Sequence, residues 1–156
     1  MKPVTAHIDI QIASRYLDKV KPALLRQAAR AALAQQRLQG DLTIVITGNA
    51  QLRALNRAFR QVDAPTDVLS FATDDQPRAS KQTRYLGDVI ISYTQANAQA
   101  KAGGHPVGAE LQLLVVHGVL HLLGHDHDTR PGEAKMWQAQ ARILTSIGAA
   151  ITEPKD

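Results

Sequence analysis

At 156 residues, 44% of them hydrophobic and 21% charged, the chain is sized and balanced for one domain with a real core. It has no cysteine, which excludes disulfides and thiolate metal sites and favours a reducing compartment. Its net charge of +4 is compatible with a polyanionic partner without requiring one. MKPVTAHIDI lacks an apolar core long enough for a signal peptide, and no segment approaches the ~20 apolar residues of a membrane span, so a cytoplasmic protein is the expectation.

Ala6, Ile8, Ile10 and Ile12 alternate with polar residues and predict a strand with one buried face. Residues 18 to 38, rich in Ala, Leu, Gln and Arg, predict a helix with Pro22 in its first turn. LTIVIT, residues 42 to 47, predicts a second strand. Asn49 is the expected cap of a second helix, with Leu52, Leu55 and Phe59 as its apolar stripe. Arg53, Arg57 and Arg60 recur on another face of that helix. Three aligned guanidinium groups suit phosphate, although a solvated helix face gives the same pattern.

Pro65 disfavours helix and precedes a short strand in which Asp67, Leu69 and Phe71 alternate with Val68 and Ser70. Residues 73 to 83 are polar and predict an exposed loop, and YLGDVIIS, residues 85 to 92, predicts a buried strand that completes a hairpin. Asp88 inside that apolar run needs a partner: it is either paired structurally or aimed at a site. Ser92 can cap a helix that stops at Gly103 and Gly104, and a further helix runs from about Pro106 to Leu123. Thr129 or Asp128 caps a last helix, to about Ile147, with Met136, Trp137, Leu144 and Ile147 as its core side. Residues 152 to 156 are expected to fray. The order β-α-β-α-β-β-α-α-α, with one hairpin, predicts a mixed sheet.

The richest stretch is HGVLHLLGHDH, residues 117 to 127. His117 and His121 are four apart, so on a helix they lie one above the other. Gly124 is the residue type that ends a helix in a left-handed turn, which lets the chain bring His127 back toward them. Three neutral imidazoles suit Zn²⁺ and leave a fourth position open for water. His125 is a rival third ligand, while Asp126 and Asp128 could each accept a ligand's second ring N–H. The spacing matches the zinc-peptidase pattern H-E-x-x-H-x-x-G-x-x-H except at the Glu that serves as general base, which is Gly118 here.

HGVLHLLGHDH resembles the H-G-x-L-H-L-x-G-x-D-H signature of the YbeY family, bacterial rRNA maturation factors and single-strand-specific endoribonucleases. LNRAFRQVDAPTDVLSF, residues 55 to 71, and LGDVIIS, residues 86 to 92, are similar to two further blocks of that family, so the resemblance covers most of the chain. Phe59, Ala72 and His125 depart from the commoner Tyr, Pro and Tyr, and no ligand is lost. The last of these leaves a fourth nearby imidazole for proton transfer.

The resemblance implies an α+β fold, one domain over residues 1–156, with a mixed sheet of about four strands and about five helices. It implies one Zn²⁺ on His117, His121 and His127, with Arg60 and His117 as catalytic residues. Arg60 and Arg57 are the expected substrate contacts. It also implies a role in 3′-end maturation of small-subunit rRNA and in ribosome quality control. The partners would be single-stranded rRNA, the small ribosomal subunit with its proteins, and an assembly GTPase. The competing expectations are a ribosome-assembly binding factor with a structural metal, and another zinc hydrolase such as a peptidase. The missing Glu argues against the peptidase.

Overall fold

In the computed structural model of the chain, residues 6–73, 84–125 and 128–149 are described. The loop expected at 73 to 83, apart from Thr73, and the expected tail lie outside them. In chain order the elements are β1 (Ile8–Ile12), a 3-10 turn (Ser14–Tyr16), α1 (Pro22–Gln35), β2 (Asp41–Thr47) and α2 (Asn49–Arg60). Then come β3 (Val68–Ala72), β4 (Tyr85–Ser92), α3 (Tyr93–Gly103), α4 (Val107–Leu122) and α5 (Arg130–Ser146). The fold is α+β: five helices and a four-stranded mixed sheet.

The sheet runs β1-β2-β4-β3. β1 and β2 pair in parallel, as do β2 and β4, while β3 closes the edge antiparallel to β4. The period-2 pattern of β2 becomes a strict alternation, with Leu42, Ile44 and Ile46 at or near zero exposure and their neighbours half-buried. Register aligns Ile10, Ile44, Val89 and Ser70 in one row, and Asp9, Thr43, Asp88 and Phe71 in the next, which faces the other way.

α4 is the centre of the packing. It touches α1, α3, α5, β3 and β4, and every residue from Leu111 to Val116 is buried. A helix apolar all round belongs in a core, which is why its sequence shows little one-sidedness. Glu110, in its first turn, is fully buried and takes His105 Nε2 at 2.6 Å. Gln112 ties α4 to α1 by donating to the Leu24 carbonyl at 3.0 Å. No helix among the described residues is long and apolar enough to cross a membrane.

Several expectations need correction. α1 starts at Pro22 rather than 18, because Pro22 takes N1 and Leu17, Asp18 and Lys19 precede it as a turn. Gly48, extended, is the N-cap of α2 and supplies no side-chain bond. Asn49 is the first helical residue, and its Oδ1 instead accepts from Ser92 Oγ at 2.7 Å, across the strand ends. The apolar stripe of α2 stops short. Leu52 is buried but Phe59 is 63% exposed, and Asn56 is buried between them, donating to the Ala64 carbonyl at 2.9 Å. Of the two candidate caps for α5, Thr129 does the work, its side chain accepting from Gly132 N–H at 3.1 Å. Asp88 is paired structurally: it accepts from Tyr85 Oη.

Candidate metal centre and its surroundings

The last two turns of α4 carry His117 and His121. Their ring centroids are 4.7 Å apart, and Nε2 faces Nε2 at 3.2 Å. Two imidazoles on one tetrahedral zinc, with Zn–N bonds of about 2.0–2.1 Å, place their nitrogens roughly 3.3 Å apart. The pair therefore fits a shared ion as it stands.

The far side of His117 is held by α5. Its Nδ1–H donates to Gln140 Oε1 at 3.1 Å, and Gln140 is buried. A ring that donates from Nδ1 carries its lone pair on Nε2, the atom a metal would take. One turn earlier on α5, half-buried Trp137 lies with its ring 6.0 Å from that of His117 and walls the site. The apolar side of the last helix thus contributes more than core. Sequence reasoning missed Gln140; its one signal is a glutamine inside the apolar side of a helix.

After His121 the helix stops in a Schellman turn. The Gly124 N–H bonds to the His121 carbonyl at 3.0 Å and the His125 N–H to the Leu120 carbonyl at 2.9 Å. Gly124 sits at φ +96, a left-handed backbone that favours glycine. The turn carries His125 away from the pair: its Nε2 meets Gln36 Oε1, just past α1, at 2.8 Å. His127 and Asp126 lie outside the described residues. Among the described residues no third His, Cys, Asp or Glu completes a metal cluster.

Gly118 has a packing reason. A Cβ there would lie 2.5 Å from Val89 Cγ1 and 3.1 Å from Ser70 Oγ, so α4 can seat on the sheet only with hydrogen at this position. Ser70 Oγ also donates to the Gly118 carbonyl at 2.9 Å. The place a peptidase gives to its Glu here points into β3 and β4.

The arginines of α2 divide. Arg53 is bound to Asp63 through Nε at 2.8 Å and Nη2 at 3.1 Å. That pair raises the Arg53 pKa and, chiefly through the same hydrogen bond, lowers that of Asp63. The expected line of three guanidinium groups is thereby reduced to two. Arg57 and Arg60 are exposed in the last turn, without an ion pair among the described residues. Phe59 meets Phe71 edge-on at 5.2 Å. Phe71 faces the opposite way from Ser70, which touches α4. Phe59 therefore meets β3 on the face turned away from Gly118 of α4.

This arrangement has known relatives. A family model described as Endoribonuclease YbeY matches residues 5–148. The chain belongs to this family. Among YbeY relatives, the Endoribonuclease YbeY of Roseiflexus sp. (strain RS-1) is 44% identical over 153 residues, covering 94% of this chain and 96% of its own. That of Dehalococcoides mccartyi (strain CBDB1) is 42% identical over 156 residues, covering 90% and 94%. The solution structure of TM1509 from Thermotoga maritima shares the fold, with a TM-score of 0.56 at 20% identity over 96% of this chain and 97% of that one.

Proposed function

We propose that this chain is a zinc-dependent, single-strand-specific endoribonuclease that acts in 3′-end maturation of small-subunit (16S) rRNA and in ribosome biogenesis and quality control. Its membership of a family described as an endoribonuclease supports the hydrolysis of RNA. The observation that carries the chemistry is the pair of facing Nε2 atoms 3.2 Å apart.

His117 and His121 would hold the ion, with His127 as the third ligand from beyond the turn. A zinc ion so held supplies a Lewis acid and a water acidified toward neutrality. Gln140 fixes the tautomer of His117, and Trp137 keeps one side of the site dry. Arg60 takes the phosphate and offsets the charge that grows on it, and Arg57 holds a neighbouring phosphate. A single strand can bring its backbone up to a site walled by Trp137, and a stiff duplex cannot, which would give single-strand specificity. An rRNA substrate implies work in the cytoplasm beside the small subunit and its proteins, with an assembly GTPase as a further partner. A peptidase reading is disfavoured by the seating of Gly118 against Val89.

The test compares purified protein, metal-stripped protein and Arg60→Ala on single-stranded RNA and on a peptide. Cleavage of RNA alone, lost on stripping and restored by zinc, is the expected result. RNA cleavage that survives metal removal would sink the zinc mechanism. A protein that retains zinc and binds small subunits without cutting RNA would be a binding factor.

A further inference from the structure

We infer that the exposed ring of Phe59 is a stacking platform for one base of the single strand, on the same helix turn as the phosphate-holding Arg57 and Arg60; this rests on the RNA-cleaving reading above. A single exposed apolar residue needs no explanation. Phe59 differs in its company. It is 63% exposed, Val62 is 45% exposed three residues on, and two arginines without ion pairs among the described residues flank the ring in sequence.

The ring is also preorganised. Phe71 backs it at 5.2 Å with the planes 65° apart, an edge-on contact that occupies part of the ring and leaves most of it to solvent. The chain beyond it is pinned. Gln61 turns left-handed at φ 58, and the Val62 N–H bonds to the Asn56 carbonyl at 3.2 Å. The Arg53–Asp63 pair and the Asn56 bond to the Ala64 carbonyl close the same turn. A rigid aromatic loses little freedom when a base lands on it.

Charge favours nucleic acid over a protein. Asp63, the acid of this turn, is answered first by Arg53 and also by the charge of Arg57, so three guanidinium groups face one carboxylate and the local sign is positive. Two guanidinium groups outweigh the partial negative charge of a helix C-terminus. Every base has a π face, so stacking on Phe59 is tolerant of sequence. A base inside a duplex is already stacked on both faces and gains nothing from the ring. Phe59 thus adds a second source of single-strand preference.

The experiment measures binding of zinc-loaded wild type, Phe59→Ala and Phe59→Trp to a short RNA, single-stranded and annealed to its complement, at fixed salt. Phe59→Ala should weaken single-strand binding about 5- to 100-fold while duplex binding stays level, and Phe59→Trp should restore it. A 2-aminopurine base in the single strand should be quenched by wild type and not by Phe59→Ala. Equal losses on both RNAs, or none on either, overturn the inference while wild-type cleavage still supports the enzyme. Unchanged RNA binding with weakened binding to purified small subunits assigns the ring to a protein partner and also overturns it. Wild type that neither binds nor cuts single-stranded RNA refutes the activity reading itself.

Discussion

His117 donates its Nδ1–H to Gln140 Oε1, 3.1 Å away on the neighbouring helix, and that bond decides which nitrogen faces His121. Gln140 is buried, so water cannot replace it cheaply. Gln140→Leu keeps the volume and removes the acceptor, which frees the His117 ring to flip or change tautomer. Zinc affinity should fall about 10- to 100-fold, measured by competition with a chromophoric chelator. Gln140→Glu keeps an acceptor and should lose less. Affinity unchanged in Gln140→Leu would show that another contact orients His117.

Gly118 sets two energies against each other. Alanine is favoured over glycine inside a helix by about 1 kcal/mol. Its Cβ, however, would lie 2.5 Å from Val89 Cγ1, a β-branched side chain at zero exposure with little freedom to yield. Overpacking of this kind costs about 1–3 kcal/mol, so the clash should win. Gly118→Ala should melt at lower temperature than wild type. Gly118→Glu should fail to fold rather than gain peptidase activity. A stable, folded Gly118→Glu protein would mean that α4 can lift off the sheet.

The parts of this fold that were readable from the chain are those set by local periodicity. The apolar run of β4 has the bounds read from it, 85 to 92, and the hairpin follows from its neighbour β3. His117 and His121 meet because a helix brings residues four apart together. What stayed hidden depends on distant partners. His125 is tied to Gln36 across 89 positions, and Asn49 is drawn to Ser92 across 43. Phe59 has the right period for a buried stripe, yet the last turn of α2 leaves it in solvent, and only the position of β3 decides that. Gln140 reads as an interruption of an apolar helix side until α4 is placed against it.

The two exposed arginines and the paired one should separate in a salt titration. Each phosphate contact on a single strand contributes a slope of about −0.7 to log K against log salt. Arg57→Ala and Arg60→Ala should each flatten the slope by about that amount. Arg53→Ala should leave it unchanged, because Asp63 already holds that guanidinium at 2.8 Å. Arg60→Ala should also reduce the cleavage rate about 100- to 1,000-fold, the scale of losing one charge-stabilising donor, whereas Arg57→Ala should act mainly on binding. Loss of cleavage in Arg57→Ala with normal turnover in Arg60→Ala would exchange their roles.

Tyr85 gives a pH signature independent of the site. Its hydroxyl donates to Asp88 and receives a hydrogen bond from Thr43 Oγ1 at 2.5 Å. Burial first, and the bond to Asp88 second, push its pKa from 10.0 up to about 12, with the Thr43 bond opposing. A folded-state pKa raised above the unfolded one means the neutral phenol stabilises the fold. That contribution is complete below pH 10.0 and is lost as the pH rises through about 12. The phenolate absorbance of the native protein should therefore show one late step near pH 12, absent in Tyr85→Phe. The variant should also lose less stability between pH 10 and 12 than wild type does, read by urea denaturation at each pH. If the late step remains in Tyr85→Phe, it belongs to another tyrosine. The Tyr85–Asp88 contact would then not govern how this open row of the sheet titrates.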